Sequence, residues 1–211
     1  SSGNVFIADS ANHRVQVFTG EGVFVRKWGE QGSGTGQFST PVGIAVAGSH
    51  VYVADSNNHR IQKFDSQGNY VLHWGGYGIG NGQFKTPQGI AVDGSGNVYV
   101  ADMQNHRIQK FNSQGGYLEQ WGSSGSGDGQ FNMPSGVALD ASGNIYVADS
   151  SNHRIQKFSG EYVFLSKWGG YSEVTNGKFC YPATVIVSAE NEVVVLDTNN
   201  DRVQRFDASG S

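Results

Sequence analysis

Short apolar runs alternate with clusters of turn-forming residues along the whole chain. After residue 88, the run Gly-Ile-Ala-Val is followed by Asp-Gly-Ser-Gly-Asn and then by Val-Tyr-Val-Ala. Two further runs, Arg107–Phe111 and Tyr117–Trp121, are separated by more polar turns. Strands favour β-branched and aromatic residues, whereas Gly, Asn, Asp and Ser favour tight turns. The pattern predicts four short strands in an antiparallel meander, and no window has convincing helical periodicity.

The same pattern recurs at a nearly fixed interval. An eleven-residue phrase reads ADSNNHRIQKF at 54–64, ADMQNHRIQKF at 101–111 and ADSSNHRIQKF at 148–158. Counting weaker copies, its aspartate appears five times at intervals of 46 to 48 residues. Trp-Gly, a glycine-rich stretch and a Gln-Phe-x-x-Pro phrase lie between most copies. A four-stranded repeat of about 45 residues is typical of a propeller blade.

These phrases resemble those of a known family. The Asn-His-Arg core at 12–14, 58–60, 105–107 and 152–154, with the Gly-Gln-Phe…Pro…Gly-Ile-Ala-Val phrase, looks like that of NHL-repeat β-propellers. The resemblance covers essentially the whole chain. It implies an all-β fold, a β-propeller of four-stranded antiparallel blades. The fifth copy departs from the pattern at Asp201, which replaces His, as terminal repeats commonly do.

The copies do not fill a whole number of blades. We expect one propeller domain over 1–211, with copies at approximately 1–38, 39–84, 85–131, 132–179 and 180–211. With strands lettered a to d from the axis outward, the first copy lacks strand a and the last lacks strand d. About five blades therefore leave three alternatives: an incomplete five-bladed ring, a fragment of a longer chain, or a ring completed by another chain. We favour five-bladed closure within one chain.

Composition and charge narrow the classes of function. Aromatic residues make up 12% of the chain and only 4 residues are proline, which argues against a disordered linker. The net charge of −4 gives little support for binding nucleic acid or anionic lipid. No apolar run approaches the length of a membrane span. The single cysteine leaves the compartment open, with an extracellular or cell-surface location favoured over the cytoplasm.

The repeated charged residues favour a structural function over catalysis. Four histidines in register suggest metal, but packed sheets are about 10 Å apart, and zinc–nitrogen bonds are roughly 2 Å. A carboxylate at a strand end can accept turn N–H groups and pair with a guanidinium. We expect no metal or cofactor, and one such pair per blade. The histidines are His13, His59, His106 and His153; the pairs are Asp9–Arg14, Asp55–Arg60, Asp102–Arg107, Asp149–Arg154 and Asp197–Arg202.

The loops that vary between copies are candidate binding elements. Meander geometry puts the d-to-a links and the b-to-c turns on one face of a propeller. The links at 30–35, 76–81, 123–128 and 170–176 vary most, and varying loops on a constant scaffold are typical carriers of function. The candidate binding residues on them are Tyr77, Ile79, Asn81, Ser124, Asp128, Tyr171 and Glu173.

The sequence thus predicts a non-catalytic binding platform for a protein, peptide or glycan. The resemblance includes RNA-binding propellers of animal ubiquitin ligases, but those use a basic face, whereas here acids offset the Arg and Lys of each blade. A first alternative is a self-assembling repeat module, joined as a homo-oligomer through open blade edges. A second is a metal-dependent lyase-type propeller, although no Gly-x-Ser-x-Gly or HExxH motif and no irregular axial histidine appears.

Overall fold

A computed structural model describes residues 3–211 and contains five antiparallel sheets. The first blade contains β1 (Val5–Asp9), β2 (Arg14–Phe18) and β3 (Phe24–Trp28). The second contains β4 (Pro41–Ala47), β5 (His50–Asp55), β6 (Arg60–Asp65) and β7 (Tyr70–Gly75). The third contains β8 (Pro87–Val92), β9 (Val98–Asp102), β10 (Arg107–Phe111) and β11 (Tyr117–Trp121).

The last two blades repeat this order. The fourth contains β12 (Pro134–Leu139), β13 (Ile145–Asp149), β14 (Arg154–Phe158) and β15 (Phe164–Gly169). The fifth contains β16 (Pro182–Val187), β17 (Val193–Asp197) and β18 (Arg202–Phe206). The predicted propeller of about five blades, with incomplete first and last copies, is confirmed. No helix within residues 3–211 is long and apolar enough to cross a membrane.

The a strands, β4, β8, β12 and β16, pack side by side along the axis. Their glycines allow this close approach: a Cβ on Gly43 would lie 1.9 Å from the carbonyl oxygen of Gln88. A Cβ on Gly136 would lie 2.9 Å from the Cα of Thr184. Thr184 takes the glycine position of the last blade, where no following a strand presses against it. This explains why the fifth copy departs from the repeat.

Aromatic residues fill the space between consecutive blades. One face of the second blade, with Ala54, Ile61 and Trp74, packs against Val100 and Phe111 of the third. The centroids of the Trp74 and Phe111 rings are 5.7 Å apart. Corresponding tryptophan–phenylalanine contacts join the other blades. Because each such side chain is worth roughly 1.5–3 kcal/mol when buried, the interfaces between blades supply most of the hydrophobic stabilisation.

The two outermost blade faces remain exposed. In the first blade, Val5 and Ile7 are 48% and 43% exposed, whereas the equivalent Val51 and Val53 are fully buried against the preceding blade. In the fifth blade, Val203 is 60% exposed, whereas the equivalent Ile155 is fully buried against the next blade. If these faces met, both would be covered. The expected closure of a five-bladed ring within one chain is therefore wrong, and residues 3–211 form an open arc.

Candidate ligand-binding face

The turns between strands b and c set the geometry of one face of the arc. Each is a three-residue 3-10 turn that ends at a residue in the left-handed conformation, such as His106 with φ of 54°. His, Asn and Asp adopt this conformation more readily than most residues do. The fifth copy keeps it at Asp201, with φ of 49°. The replacement of His by Asp therefore preserves the backbone of the turn.

An aspartate at the end of strand b organises each turn, and it is fully buried in the last four blades. In the third blade Asp102 ends strand b and Arg107 begins strand c, and the two residues are partners in the antiparallel register. Asp102 Oδ2 accepts hydrogen bonds from Arg107 Nε at 2.7 Å, Asn105 Nδ2 at 2.8 Å and Gln109 Nε2 at 3.1 Å. Its Oδ1 accepts the backbone N–H of Lys85 at 2.8 Å. The fully buried carboxylate is thus saturated with donors.

The Asp–Arg ion pair occurs in all five blades. The Nε–Oδ2 distances are 2.7 Å for Asp9–Arg14, Asp55–Arg60, Asp102–Arg107 and Asp149–Arg154, and 2.8 Å for Asp197–Arg202. For Asp197, hydrogen bonds from Asn200, the Cys180 amide and Arg202 outweigh the opposing effect of burial and hold the carboxyl pKa below its ordinary value. These residues are held by one another in the interior, so they do not form a site open to ligand.

The remaining guanidinium donors hold the incoming d-to-a link. Arg107 Nη1 donates to the carbonyl of Ile79 at 2.9 Å, and its Nη2 donates to the carbonyls of Gly80 and Gln83 at 2.9 and 2.8 Å. Asn105 Nδ2 donates to the carbonyl of Gly78 at 2.9 Å. The backbone of the link is therefore fixed by constant residues of the next blade, while its side chains are directed outward.

The repeated histidines link consecutive blades. The backbone N–H of Thr86 donates to His59 Nδ1 at 3.1 Å, and the N–H of Tyr181 donates to His153 Nδ1 at 3.2 Å. This bond requires a neutral ring with its proton on Nε2. Burial holds the pKa of His153 below its ordinary value, although Asp149 and Asp197 act in the opposite direction. Among residues 3–211, no three or more His, Cys, Asp or Glu side chains converge on a potential metal position.

The links display the candidate binding residues to differing degrees. Tyr77 and Ile79 are 67% and 71% exposed, and the Tyr77 ring contacts His59 edge-to-face at 5.0 Å. Asn81 and Ser124 are also exposed. Within residues 3–211, neither forms a side-chain hydrogen bond with Tyr77 or Ile79. Asp128 forms an exposed ion pair with Lys167 at 2.5 Å.

The fourth link brings two candidates together. The Tyr171 hydroxyl donates to Glu173 Oε1 at 2.6 Å, and the Tyr171 ring contacts His153 at 5.1 Å. Tyr77 and Tyr171 stand on links of non-adjacent blades, so they form two separate aromatic positions. Sequence reasoning missed Val174, which is 83% exposed on the same link, and Lys85, whose Nζ lies 5.6 Å from the Tyr77 ring centroid. The apolar character of residue 174 within a polar link was the available signal.

A family model for the NHL repeat matches the chain in five segments, at 1–18, 38–64, 84–111, 131–158 and 179–206. The chain belongs to the NHL-repeat family. The matched segments contain the Asp, Asn, Arg and Gln residues of the buried network, whereas the d-to-a links fall between them. The family match therefore rests on the residues of the buried network, and the variable side chains of the links lie outside the matched segments.

Known proteins share parts of this NHL propeller. The RING finger protein nhl-1 of Caenorhabditis elegans is 49% identical over 45 residues, which are 21% of this chain and 5% of that protein. A streptogramin B lyase structure superposes with a TM-score of 0.66 at 16% identity, over 98% of this chain and 66% of that one. A gluconolactonase from Xanthomonas campestris superposes with a TM-score of 0.72 at 15% identity, over 99% and 70%.

These similarities establish the fold. The chain spans about two thirds of the lyase, and its match covers a small part of the curated relative. A protein of unknown function from Bacteroides caccae superposes equally well, with a TM-score of 0.71 at 15% identity, over 99% of this chain and 75% of that one. At such identities the activities of the two enzymes remain properties of those enzymes.

The buried network yields a prediction for stability. Asp102→Ala should lower the free energy of unfolding by about 3–5 kcal/mol, because it leaves the Arg107 guanidinium buried without its counter-ion. Asp128→Ala removes an exposed ion pair and should cost less than about 1 kcal/mol. Urea unfolding followed by tryptophan fluorescence measures both. If both variants lost a similarly small free energy of unfolding, the buried aspartate would not be a main source of stability.

The His153 contact yields a prediction for pH dependence. The folded state lowers the pKa of His153. Its contribution to the free energy of unfolding is therefore complete above the ordinary histidine pKa of about 6.5. That contribution is lost as the pH falls through the pKa of His153 in the folded state. His153→Asn keeps a residue that tolerates positive φ and removes the titration. The variant should lose less stability than the parent between pH 8 and 5 in thermal unfolding. The exposed His73→Asn serves as control, and equal pH dependence in parent and His153→Asn would contradict the assignment.

Proposed function

We propose that the face formed by the d-to-a links and b-to-c turns binds a protein or peptide ligand, with a glycan as the further ligand class, and that the chain acts as a non-catalytic platform. One observation carries the proposal: exposed apolar side chains project from links whose backbone is fixed. The fixing donors are the guanidinium and amide groups of residues such as Arg107 and Asn105. Rigid loops lose little conformational entropy on binding, and tyrosine suits recognition because its ring is amphipathic.

The charged groups of the face disfavour sequence-independent electrostatic binding of nucleic acid. Lys167 is paired with Asp128, and Arg202 is paired with Asp197. Glu173 adds a carboxylate beside Tyr171. A nucleic-acid surface needs cations that are free to meet phosphate groups. The arrangement suits a partner that contributes apolar contacts together with positive charge.

The choice of a binding function over catalysis is part of this proposal. The lyase and the gluconolactonase share the propeller, and a fold of this kind hosts both enzymes and binding modules. In this chain the recurring polar residues are saturated by one another. The residues that differ between copies are mostly neutral or aromatic, which is more typical of recognition than of acid–base chemistry.

A displayed-peptide selection on the 211-residue chain tests the face. Enriched peptides should lose at least tenfold in affinity for a Tyr77→Ser, Ile79→Ser, Val174→Ser variant, because exposed anchors supply most of the binding free energy. A control variant carries Gln114→Ala and Ser142→Ala on turns of the opposite face and should bind as the parent does. Peptides sensitive only to the control changes would refute the proposal, as would salt-sensitive sub-micromolar affinity for RNA.

The exposed outer blade faces favour a second candidate, which is assembly of chains. The first blade presents the face with Val5 and Ile7, and the fifth presents the opposite type of face with Leu196 and Val203. Inside the arc, faces of these two types pack against each other at every junction. A head-to-tail contact between two chains would repeat that packing, and contacts of this kind form rings or filaments.

Light scattering across a concentration series tests assembly. Association would raise the mass above the 22.6 kDa of one chain as concentration rises. Val203→Lys should reverse that rise by placing a charge on the fifth-blade face, whereas Val174→Lys on a link should not. A mass of one chain at all concentrations would reject this candidate and leave the loop face as the site of function.

A further inference from the structure

An apolar hollow of about 340 Å³ lies on the loop face, where the third, fourth and fifth blades meet. We call it the methionine hollow. Its lining includes Met103, Met133, Ser135, Ser150, Tyr181 and Ala183. These residues come from b-to-c turns, the ends of links and the beginnings of a strands. The hollow therefore adjoins the ends of the third and fourth links.

Small residues create the space. Ser135 and Ala183 each follow the first proline of their a strand, a position that Val42 and Gln88 occupy in the second and third blades. Valine and glutamine occupy more volume than serine and alanine do. The hollow is therefore confined to the part of the arc where two successive copies carry a small residue at this position.

Two methionines give the hollow its apolar wall. Met103 takes the position of Ser56 and Ser150, and Met133 takes the position that is Thr40 in the second blade. The chain has only these 2 methionines, and both line the same hollow. Methionine side chains adapt to differently shaped apolar partners. The repeat thus departs from its pattern toward greater hydrophobicity at one place on the surface.

Two serine hydroxyls of the lining are already hydrogen-bonded within the protein. Ser135 Oγ donates to the carbonyl of Ala183 at 2.7 Å, and Ser150 Oγ donates to the carbonyl of Pro182 at 2.6 Å. No charged side chain is part of the lining. A charged occupant would lose its hydration without gaining a counter-ion from the lining. The hollow therefore suits an aromatic or large aliphatic group.

Two carboxylates, those of Glu173 and Asp201, belong to segments that adjoin the hollow, and we call them the acidic rim. Tyr181 contacts His153 edge-to-face at 4.6 Å, His153 contacts Tyr171, and the Tyr171 hydroxyl is bonded to Glu173. Asp201 stands exposed two residues after Asn199, which also lines the hollow. Aromatic contacts thus connect the apolar wall to the acidic rim. This arrangement complements a ligand that combines an apolar group with a nearby positive charge.

We propose that the methionine hollow binds the aromatic or large aliphatic side chain of an extended peptide whose neighbouring residues carry positive charge. The inference rests on the proposed function and names the anchor of that ligand. Small-molecule sites usually occupy about 300–1,000 Å³, so the hollow of about 340 Å³ is large enough to admit one large side chain. An extended chain, which rises roughly 3.3 Å per residue, can then carry its positive charge from the anchor toward the acidic rim.

The two methionines provide the measurement. Labelling with ¹³C-methyl methionine gives two methyl signals, both from the hollow, in the full chain. The probe is the acetylated, amidated peptide Phe-Gly-Gly-Arg, with Ser-Gly-Gly-Arg and Phe-Gly-Gly-Glu as matched controls. The first peptide should shift both signals saturably, with a roughly millimolar Kd. The serine peptide should give no saturable shift at the same concentrations, and the glutamate peptide should bind at least threefold more weakly.

Ala183→Gln places in the fifth blade the residue that the third blade carries as Gln88, and it should fill the hollow while keeping both reporters. We expect at least a tenfold loss of affinity. Gln114→Ala, on a turn of the opposite face, should change the affinity less than twofold. Unsaturable shifts, or unchanged binding by Ala183→Gln, would overturn the proposal, as would equal binding of acetyl-phenylalaninamide and the peptide.

The two proposals fail in distinguishable ways. Link-dependent peptides from the selection, together with silent methionine signals, would reject the hollow and retain the loop face. Saturable methionine shifts without link-dependent binders would retain the hollow and reject the exposed side chains of the links as anchors. The two methyl signals of unliganded Ala183→Gln report whether this variant remains folded, so a failure to fold is recognised. Met103→Ser then tests the same wall with the residue found at the equivalent positions 56 and 150.

Discussion

A carboxylate that is buried and fully hydrogen-bonded is the interaction on which the propeller depends. One oxygen of Asp102 fixes the start of its own copy through the Lys85 amide, and the other holds the side chains that bind the incoming link. Burying a charge costs free energy unless hydrogen-bond donors or counter-ions surround it. Removing one partner would therefore destabilise the fold, because the remaining charge would be buried without compensation. This explains why the Asp–Arg pair persists in the fifth copy, where the histidine is lost.

The same constraint separates the scaffold from the surface available for binding. Constant residues use their polar atoms on one another and on the link backbone. The side chains of Tyr77, Ile79 and Val174 are left outside this network, as are the two methionines near the axis. Such positions can change from copy to copy without disturbing the ion pairs. Specific binding on a repeat scaffold therefore arises where the copies differ.

Periodicity predicted the strands, the turns and the blade count, because each depends on residues close together in one copy. The Asp–Arg geometry followed for the same reason, since Asp102 and Arg107 are partners in one hairpin. Closure of the ring depends instead on the angle between blades, which no residue pattern encodes. The sequence pattern did not predict the methionine hollow, because Met103, Met133 and Tyr181 belong to three different copies and meet only after the blades have packed.

The attachment of each link to the following copy gives the fold a direction. Arg60 binds the link that leaves the first blade, and Arg107 binds the link that leaves the second. A ribosome delivers these copies one after another, beginning at the amino terminus. When a blade has left the ribosome, the d-to-a link that follows it is not yet bound. The b-to-c turn and arginine that bind this link belong to the next copy and are translated later. Nascent chains of this architecture therefore mature one copy behind synthesis, and a premature stop leaves the last complete blade unfinished.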